Sequence, residues 1–489
     1  VKRRHDLRLL SGTAIAALVR SGEVTSREAV EQHIEQIERV NATINAVVRQ
    51  RFEAARAEAE AADARRGATP AEALPAFHGV PCTIKETFSL EGMPNTAGLL
   101  ARKHVVAVKD APTVARLRRA GAIPLGVTNT SELAMWMEST NRVYGRSNNP
   151  YDPTRIVGGS SGGEAAIIAA GGSPFGLGSD IGGSIRGPCF FNGIFGHKPS
   201  GGLVPNTGQY PLVANRTLRI LATGPMARRA EDLMPLLRVL AGPDGEDRAC
   251  EPMPIGDPAA VALDGRVLVN VEDNGSLSVS PDLREGQARA VSALKARGMR
   301  VVPRRFRGLK RQFEIWSAMM GRERDVPFGT MLKEGKKMYP FWEIAKLLAG
   351  RSDHTMMAIL LALVDPLPDL LPGMSRELIA VAASLKEEIL AALGDGGVML
   401  YPTYVTPAPL HGRPALESLV LRMPFAYQGI INALELPATQ VPLGLNADGL
   451  PLGVQVISAH GNDHVTIAVA MELERAFGGW VPPFEVPRA

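Results

Sequence analysis

Three cysteines, Cys82, Cys189 and Cys250, are all that the 489 residues contain, too few and too scattered for a disulfide framework. Neither CxxC nor HExxH occurs, so no metal is expected, and free thiols suit a reducing compartment. The phosphate-cradling loops Gly-x4-Gly-Lys-Ser/Thr and G-x-G-x-x-G are missing as well, and no cofactor is expected. Charge of one sign is also lacking. Against 54 basic residues stand 50 acidic ones, and a net +4 over this length is no nucleic-acid footprint. The densest basic run, Arg304 to Arg311 (RRFRGLKR), reads as solvated surface. Long apolar runs are absent too. Met356 to Val364 is soon cut by Asp365, Pro366 and Pro368, whereas a spanning helix needs about 20 apolar residues. Lys2, Arg3 and Arg4 before the apolar stretch Leu9 to Val19 imitate a signal peptide. No small-residue cleavage site follows, and the chain runs on into Arg20 and Glu23. The expectation is a soluble cytoplasmic protein, monomer or homodimer, with no nucleic-acid partner and no membrane span.

What is present describes a globular chain, 45% hydrophobic and 21% charged, with 50 glycines and 37 prolines to build many tight loops. Thr25-x-x-Glu28 is a capping box, and Ala29, Ile34, Ile37 and Val40 continue it at helical spacing. A second helix is expected over Ala54–Ala64, ending before Gly67 and Pro70. Gly79 to Ile84 reads as a buried strand that delivers Lys85 at its end. Thr113–Ala120 and Ser131–Glu138 read as helices, with a strand at Ile123–Val127 between them. Further strands are expected at Val267–Val271 and Val398–Leu400. Ser375–Leu393 reads as a helix with Leu378, Val381, Leu385, Ile389 and Ala392 on one face and Gly394 as its cap. The alternation points to an α/β layered fold. No repeat or long linker divides the chain. One domain is expected, with N-terminal helices over 1–75, a core over about 76–242, a variable region over about 244–397 and a C-terminal core over 398–489.

Three elements carry the chemistry: Lys85 in Thr-Ile-Lys-Glu, the loop Gly158-Gly-Ser-Ser-Gly-Gly163, and Ser179-Asp-Ile-Gly-Gly-Ser-Ile-Arg186. Gly159 to Gly163 also fits the loose G-x-S-x-G pattern, which would make Ser161 an elbow nucleophile. That motif should follow a strand, but here it follows Tyr151 to Arg155, a turn, and none of the later histidines stands out as a partner.

At these residues the sequence resembles the amidase signature family. GGSSGGE, GSDIGGSIR and the upstream Lys85 are its defining features, and Ser160 and Ser184 lie at the family's separation of 24 residues. Segments such as YGRSNNPYD, FNGIFGHKPS, TGPMARRAEDL and LPLGVQVI resemble its fatty acid amide hydrolase branch. The resemblance weakens only between about Asp244 and Gly397. It implies an α/β/α fold, in which a large twisted mixed sheet lies between layers of helices. It also implies a Ser-cisSer-Lys triad without cofactor: Ser184 as nucleophile, Ser160 as the bridging serine after a cis peptide bond, and Lys85 as base. A lysine can act so only when neutral, which burial favours. The helix from Glu164 to Ala170, its positive end toward the site, is expected to help. The matching oxyanion hole is the amides of Ile181, Gly182, Gly183 and Ser184, with Ser161, Asp180 and Arg186 as supports.

On the substrate side, Met135, Trp136 and Met137 stand where related enzymes line the acyl pocket. Met356–Val364 reads as a buried helix or as a cap over the site mouth. The expected substrates are lipophilic or aryl amides, with esters and carbamates (urethanes) as further possibilities. The rivals are a glutamyl-tRNA amidotransferase A-type subunit and a non-catalytic binding protein on the same scaffold.

Overall fold

Strands that must be apolar along their whole length need cover on both faces, and several segments here meet that condition. The computed structural model describes residues 5–211, 213, 217–322, 326–366, 372–419 and 423–485. Lys2, Arg3, Arg4 and Pro368 lie outside the described residues. The chain opens with helices α1 (Gly12–Ser21) and α2 (Ser26–Ile44), strand β1 (Val47–Gln50) and helix α3 (Phe52–Ala68). There follow β2 (Pro81–Lys85), α4 (Pro112–Arg119), β3 (Ile123–Thr128), the small hairpin β4 (Thr140–Asn141) and β5 (Gly145–Arg146), and α5 (Gly162–Ala169). Next come β6 (Phe175–Asp180), α6 (Arg186–Phe191), β7 (Phe195–Lys198), α7 (Thr217–Ile220), β8 (Ala222–Ala227) and α8 (Leu233–Leu240). The variable region contributes β9 (Val267–Asn270), α9 (Pro281–Ala296), β10 (Arg300–Pro303), α10 (Gln312–Arg322), α11 (Phe328–Leu332), α12 (Pro340–Leu348), α13 (Met356–Val364) and α14 (Pro372–Leu393). The chain closes with β11 (Val398–Tyr401), α15 (Arg413–Leu419), α16 (Ala426–Ala433), β12 (Ala438–Leu445), β13 (Pro451–Ser458) and α17 (Asp463–Phe477).

Eleven of these strands form one mixed sheet in the order β1-β3-β2-β6-β8-β7-β12-β13-β11-β9-β10. Strands β2, β3, β6, β7, β8, β11 and β13 are buried at every residue, so helices cover both faces, as an α/β layered architecture requires. β2 runs parallel to both β3 and β6, with Lys85 opposite Thr128 and Ile84 opposite Leu177. That register carries the end of β2 to the end of β6, where the glycine-rich motif begins.

The Thr25–Glu28 capping box opens α2 and Gly394 follows α14, both as the sequence suggests. Leu9–Val19, the signal-peptide imitation, runs into α1, which buries Ile15, Ala16 and Val19. Two expectations fail. α3 does not stop before Gly67 but continues to Ala68, because Gly67 keeps a helical backbone. Ser131–Glu138 is not a helix. It makes a single 3₁₀ turn at Glu132–Ala134, with Leu133 at φ 51° and Ala134 at φ 57°. Tertiary bonds override local preference here. The buried Glu132 carboxylate takes His354 Nδ1 at 2.7 Å and the Thr355 amide at 2.8 Å, and the Leu133 amide donates to Ala97 O at 2.8 Å.

Two glycines give opposite expectations. Gly121 turns the chain into β3 at φ 90°, and an added Cβ would stand 2.6 Å from His78 Cα. Gly67 is helical, exposed and meets nothing within 4 Å. Gly121→Ala should therefore lower stability by about 1–3 kcal/mol. Gly67→Ala should raise it by up to about 1 kcal/mol. Urea midpoints of the two variants against the parent check both signs.

Candidate active site

Lys85 ends β2 with its side chain fully buried. Its Nζ donates to Ser160 Oγ at 2.7 Å and to Ser179 Oγ at 2.9 Å. Among the described residues no carboxylate lies within ion-pair distance of it. Burial pushes its pKa down to about 7, against the upward pull of Asp180 and Glu164. Lys198 is also buried and lowered to about 7, first by burial and then by Arg186, but its Nζ donates to Pro199 O at 2.7 Å. A shifted lysine alone therefore does not mark the site; the contact with Ser160 does.

Ser160 follows a cis peptide bond from Gly159. The chain from Trp136 to Glu138 passes so close that a Cβ on Gly159 would stand 2.1 Å from Trp136 O. Ser161 is buried outside the cavity, its amide donating to Ser184 O at 3.3 Å and its Oγ to Ser179 O at 3.3 Å. Behind them α5 begins at Gly162, but its first amides are spent on Ser139 Oγ (3.0 Å) and Asn129 O (3.2 Å). Burial is the main cause of the lowered lysine. Glu164 on α5 is fully buried and raised to about 7 by that burial, with hydroxyl donors from Thr83 and Thr128 (the latter at 2.7 Å).

The second motif is held by a charge pair with no exposure. Arg186 Nη2 lies 3.1 Å from Asp180 Oδ1, and the same carboxylate accepts the amides of Gly183 (2.7 Å), Ile185 (3.1 Å) and Arg186 (3.3 Å). Burial alone would raise Asp180, but the Arg186 guanidinium and these donors hold it at about 2. Gly183 sits at φ 113°, where a Cβ would stand 1.7 Å from Gln428 Oε1. One expectation changes. The Gly183 amide, anticipated as an oxyanion donor, is engaged by Asp180 and Gly183 does not line the cavity. The amides of Ile181, Gly182 and Ser184 have no protein acceptor among the described residues, and these three residues do line it.

Ser160, Ser179 and Ser184 open onto a cavity of about 420 Å³, walled mostly by apolar and aromatic side chains. Met135, Trp136 and Met137 are among them, joined by Phe313, Trp316 and Phe425. Helix α13 does both things the sequence allowed: it buries Met357, Ala358, Ile359 and Ala362, and it turns Leu361 and Val364 to the cavity. No histidine lines the cavity among the described residues, and none of them has a Lys or Arg there. Nor do three His, Cys, Asp or Glu side chains gather anywhere among the described residues in a way that could hold a metal.

Ser179 opens the motif, but no sequence pattern announces its contact with Lys85. Trp316, Phe425 and Gln428 come from α10, α16 and the residue before it, where no motif announces them.

A family model described as Amidase matches residues 28–467. Fatty-acid amide hydrolase 2-A of Danio rerio is 46% identical over 495 residues, covering 98% of this chain and 91% of the relative. Fatty-acid amide hydrolase 2 of Homo sapiens is 46% identical over 496 residues with the same coverage. Among solved structures, 6-aminohexanoate cyclic dimer hydrolase complexed with substrate superposes with a TM-score of 0.77 at 28% identity, covering 97% of this chain and 98% of that one. With its motifs, its mixed sheet and relatives aligned almost end to end, the chain belongs to the amidase signature family and is an amide-hydrolysing enzyme.

Proposed function

We propose that the enzyme cleaves lipophilic or aryl amides through an acyl-enzyme on Ser184, with Ser160 as proton relay and Lys85 as base. The observation that carries this reading is the 2.7 Å contact of a buried lysine near neutrality with Ser160, on the cavity wall that also bears Ser184. Neutral Lys85 takes the Ser160 proton as Ser160 takes that of Ser184, and Ser184 Oγ attacks the carbonyl carbon. The oxyanion that forms meets the amides of Ile181, Gly182 and Ser184. Collapse breaks the C–N bond, and the relay returns its proton to the departing amine. Water then attacks the ester through the same relay, releasing the carboxylic acid and free Ser184. The apolar wall at Met135, Trp136 and Met137 suits a lipophilic acyl group.

Ser184→Ala should lower kcat by about four or more orders of magnitude and remove the acyl adduct seen by intact mass, and Lys85→Ala should come close to it. Ser161→Ala should keep substantial activity. A dead Ser161→Ala beside an active Ser184→Ala would transfer the nucleophile to Ser161. Hydrolysis of a simple anilide by the purified chain, unaided, separates this reading from an amidotransferase subunit and from a non-catalytic binder.

The lysine base also sets a pH dependence. Its amine is protonated and inactive below its pKa, so kcat/KM should rise through about pH 7 and stay high on the alkaline side. A histidine base would titrate near there as well. Single His→Ala variants decide between them: each should retain the rise, and one that abolished turnover without unfolding the protein would overturn the lysine assignment.

Because the relay protonates the leaving atom, amides and esters of one acyl group should react at comparable rates. Aryl carbamates should turn over slowly: expulsion of the aryl amine leaves a carbonate on Ser184 that water clears, whereas expulsion of the alcohol leaves a carbamoyl ester that resists water. Amine release followed together with intact mass checks this. A stable adduct with no more than one equivalent of amine would make carbamates inhibitors.

A further inference from the structure

Most of the backbone polar groups from Asp180 to Arg186 have partners, and what remains is informative. Asp180 O accepts from Asn432 Nδ2 at 2.8 Å, Gly183 O from the Gly187 amide at 2.8 Å, and Ser184 O from the Ser161 amide at 3.3 Å. The amides of Gly183, Ile185 and Arg186 go to Asp180. Ile181 O is served from outside the motif: Trp316 Nε1 on α10 donates to it at 2.9 Å.

Ile181 O and Gly182 N–H belong to one peptide plane. The cis bonds among the described residues are Gly159–Ser160 and Tyr210–Pro211, so this plane is trans and its two polar groups point in opposite directions. Holding Ile181 O at the indole therefore fixes where Gly182 N–H points, and that amide has no protein acceptor among the described residues. Glycine at 182 offers little steric resistance to rotation of the plane, so an external hold has something to do. Trp316 is itself locked. A Cβ on Gly182 or on Gly429 would stand 3.1 Å from its ring, and it meets Phe425 edge to face at 5.1 Å.

We propose that Trp316 is a positioning residue for the hydrolysis: its indole N–H sets the Ile181–Gly182 peptide so that Gly182 N–H serves the oxyanion formed when Ser184 attacks. This rests on the reading of Ser184 given above. Helix α10 belongs to the region where the family resemblance is weakest, yet on this account it acts on the chemical step as well as on substrate fit. Trp316 also lines the cavity, so an acyl group packed on its ring bears on the same donor.

The test compares W316F with the parent, and S184A alongside, on a soluble anilide and on a trifluoromethyl ketone that forms a tetrahedral adduct with the nucleophile. W316F should lower kcat about tenfold or more and weaken the ketone by a similar factor, while KM moves by less than about threefold. Replacement of Trp316 by 3-benzothienylalanine, which exchanges the N–H for sulfur at nearly constant shape, should reproduce the loss and guards against a folding defect in W316F. A change in KM with kcat and ketone affinity unmoved in both variants overturns the proposal and leaves Trp316 a wall of the cavity. An active S184A overturns the nucleophile reading instead, and this proposal with it.

Discussion

Burying the Lys85 amino group strips a cation of its water, and among the described residues no carboxylate stands close enough to offset the loss. The conflict is resolved by the proton: near neutrality the group sheds it and becomes an amine with a free electron pair. The structure around it follows from that constraint. Two serine hydroxyls, Ser160 and Ser179, complete its hydrogen bonds without bringing a compensating negative charge. Glu164 could supply such a charge from α5, but it is shut behind the hydroxyls of Thr83 and Thr128 and is itself pushed toward neutrality by burial. The parallel pairing of β2 with β3 and β6 holds these groups in register, since Thr128 lies opposite Lys85 and Thr83 opposite Gly176. A Cβ at Gly176 would occupy the place of the Glu164 carboxylate.

A few residues further on, the opposite solution is used. Asp180 stays ionised in an equally dry place because Arg186 and three backbone amides surround it. Arg186 in turn reaches Gln455 on β13 at 2.7 Å and the Gln428 carbonyl at 3.0 Å, tying the motif to the C-terminal part of the sheet. The pair stabilises a shape more than it stabilises the fold: removing either partner would leave the other charge buried and alone, at a cost of about 3–5 kcal/mol. That shape fixes the turn from Asp180 to Arg186, and it explains why the Gly183 amide is unavailable while its neighbours remain open.

Much of this was legible in the chain. The Thr25–Glu28 capping box, the strand ending at Lys85 and the periodic helix capped by Gly394 rest on interactions within a few residues, so a local pattern suffices. The two serine motifs and Lys85 carry the family resemblance, and the fold brings Lys85 within hydrogen-bond reach of Ser160. The helix expected over Ser131–Glu138 failed because its conformation is decided by Ala97, His354 and Thr355, far away in sequence. The bond from the Gly183 amide to Asp180 was not legible: spacing locates an amide but does not reveal which acceptor a neighbouring carboxylate will present to it. Trp316 and Gln428 gave no sign because what matters about them is the backbone they touch.

The cavity joins two parts of the molecule that are packed differently. On the side of Lys85 and the serine motifs, buried polar groups are bonded in chains that leave few alternatives, as from Lys85 to Ser160 or from Asp180 through Arg186 to Asn432. On the far side, α11 and α13 gather a separate apolar cluster with Leu133, Phe328, Leu332 and Ile359, pinned by fewer directional bonds, among them the Leu133 amide to Ala97 O and the Phe328 amide to Asp365 Oδ2. Apolar packing tolerates changes of shape that conserve volume, whereas a directional polar network does not. The shape of this wall can therefore vary with less effect on the Lys85–Ser160 contact. The buried Glu132–His354 pair is one link between the two sides, holding the turn before Met135 to the start of α13. Trp316 is another, through Ile181 O. The two kinds of packing are then independent over most of the cavity surface and coupled where a side chain of one part grips the backbone of the other.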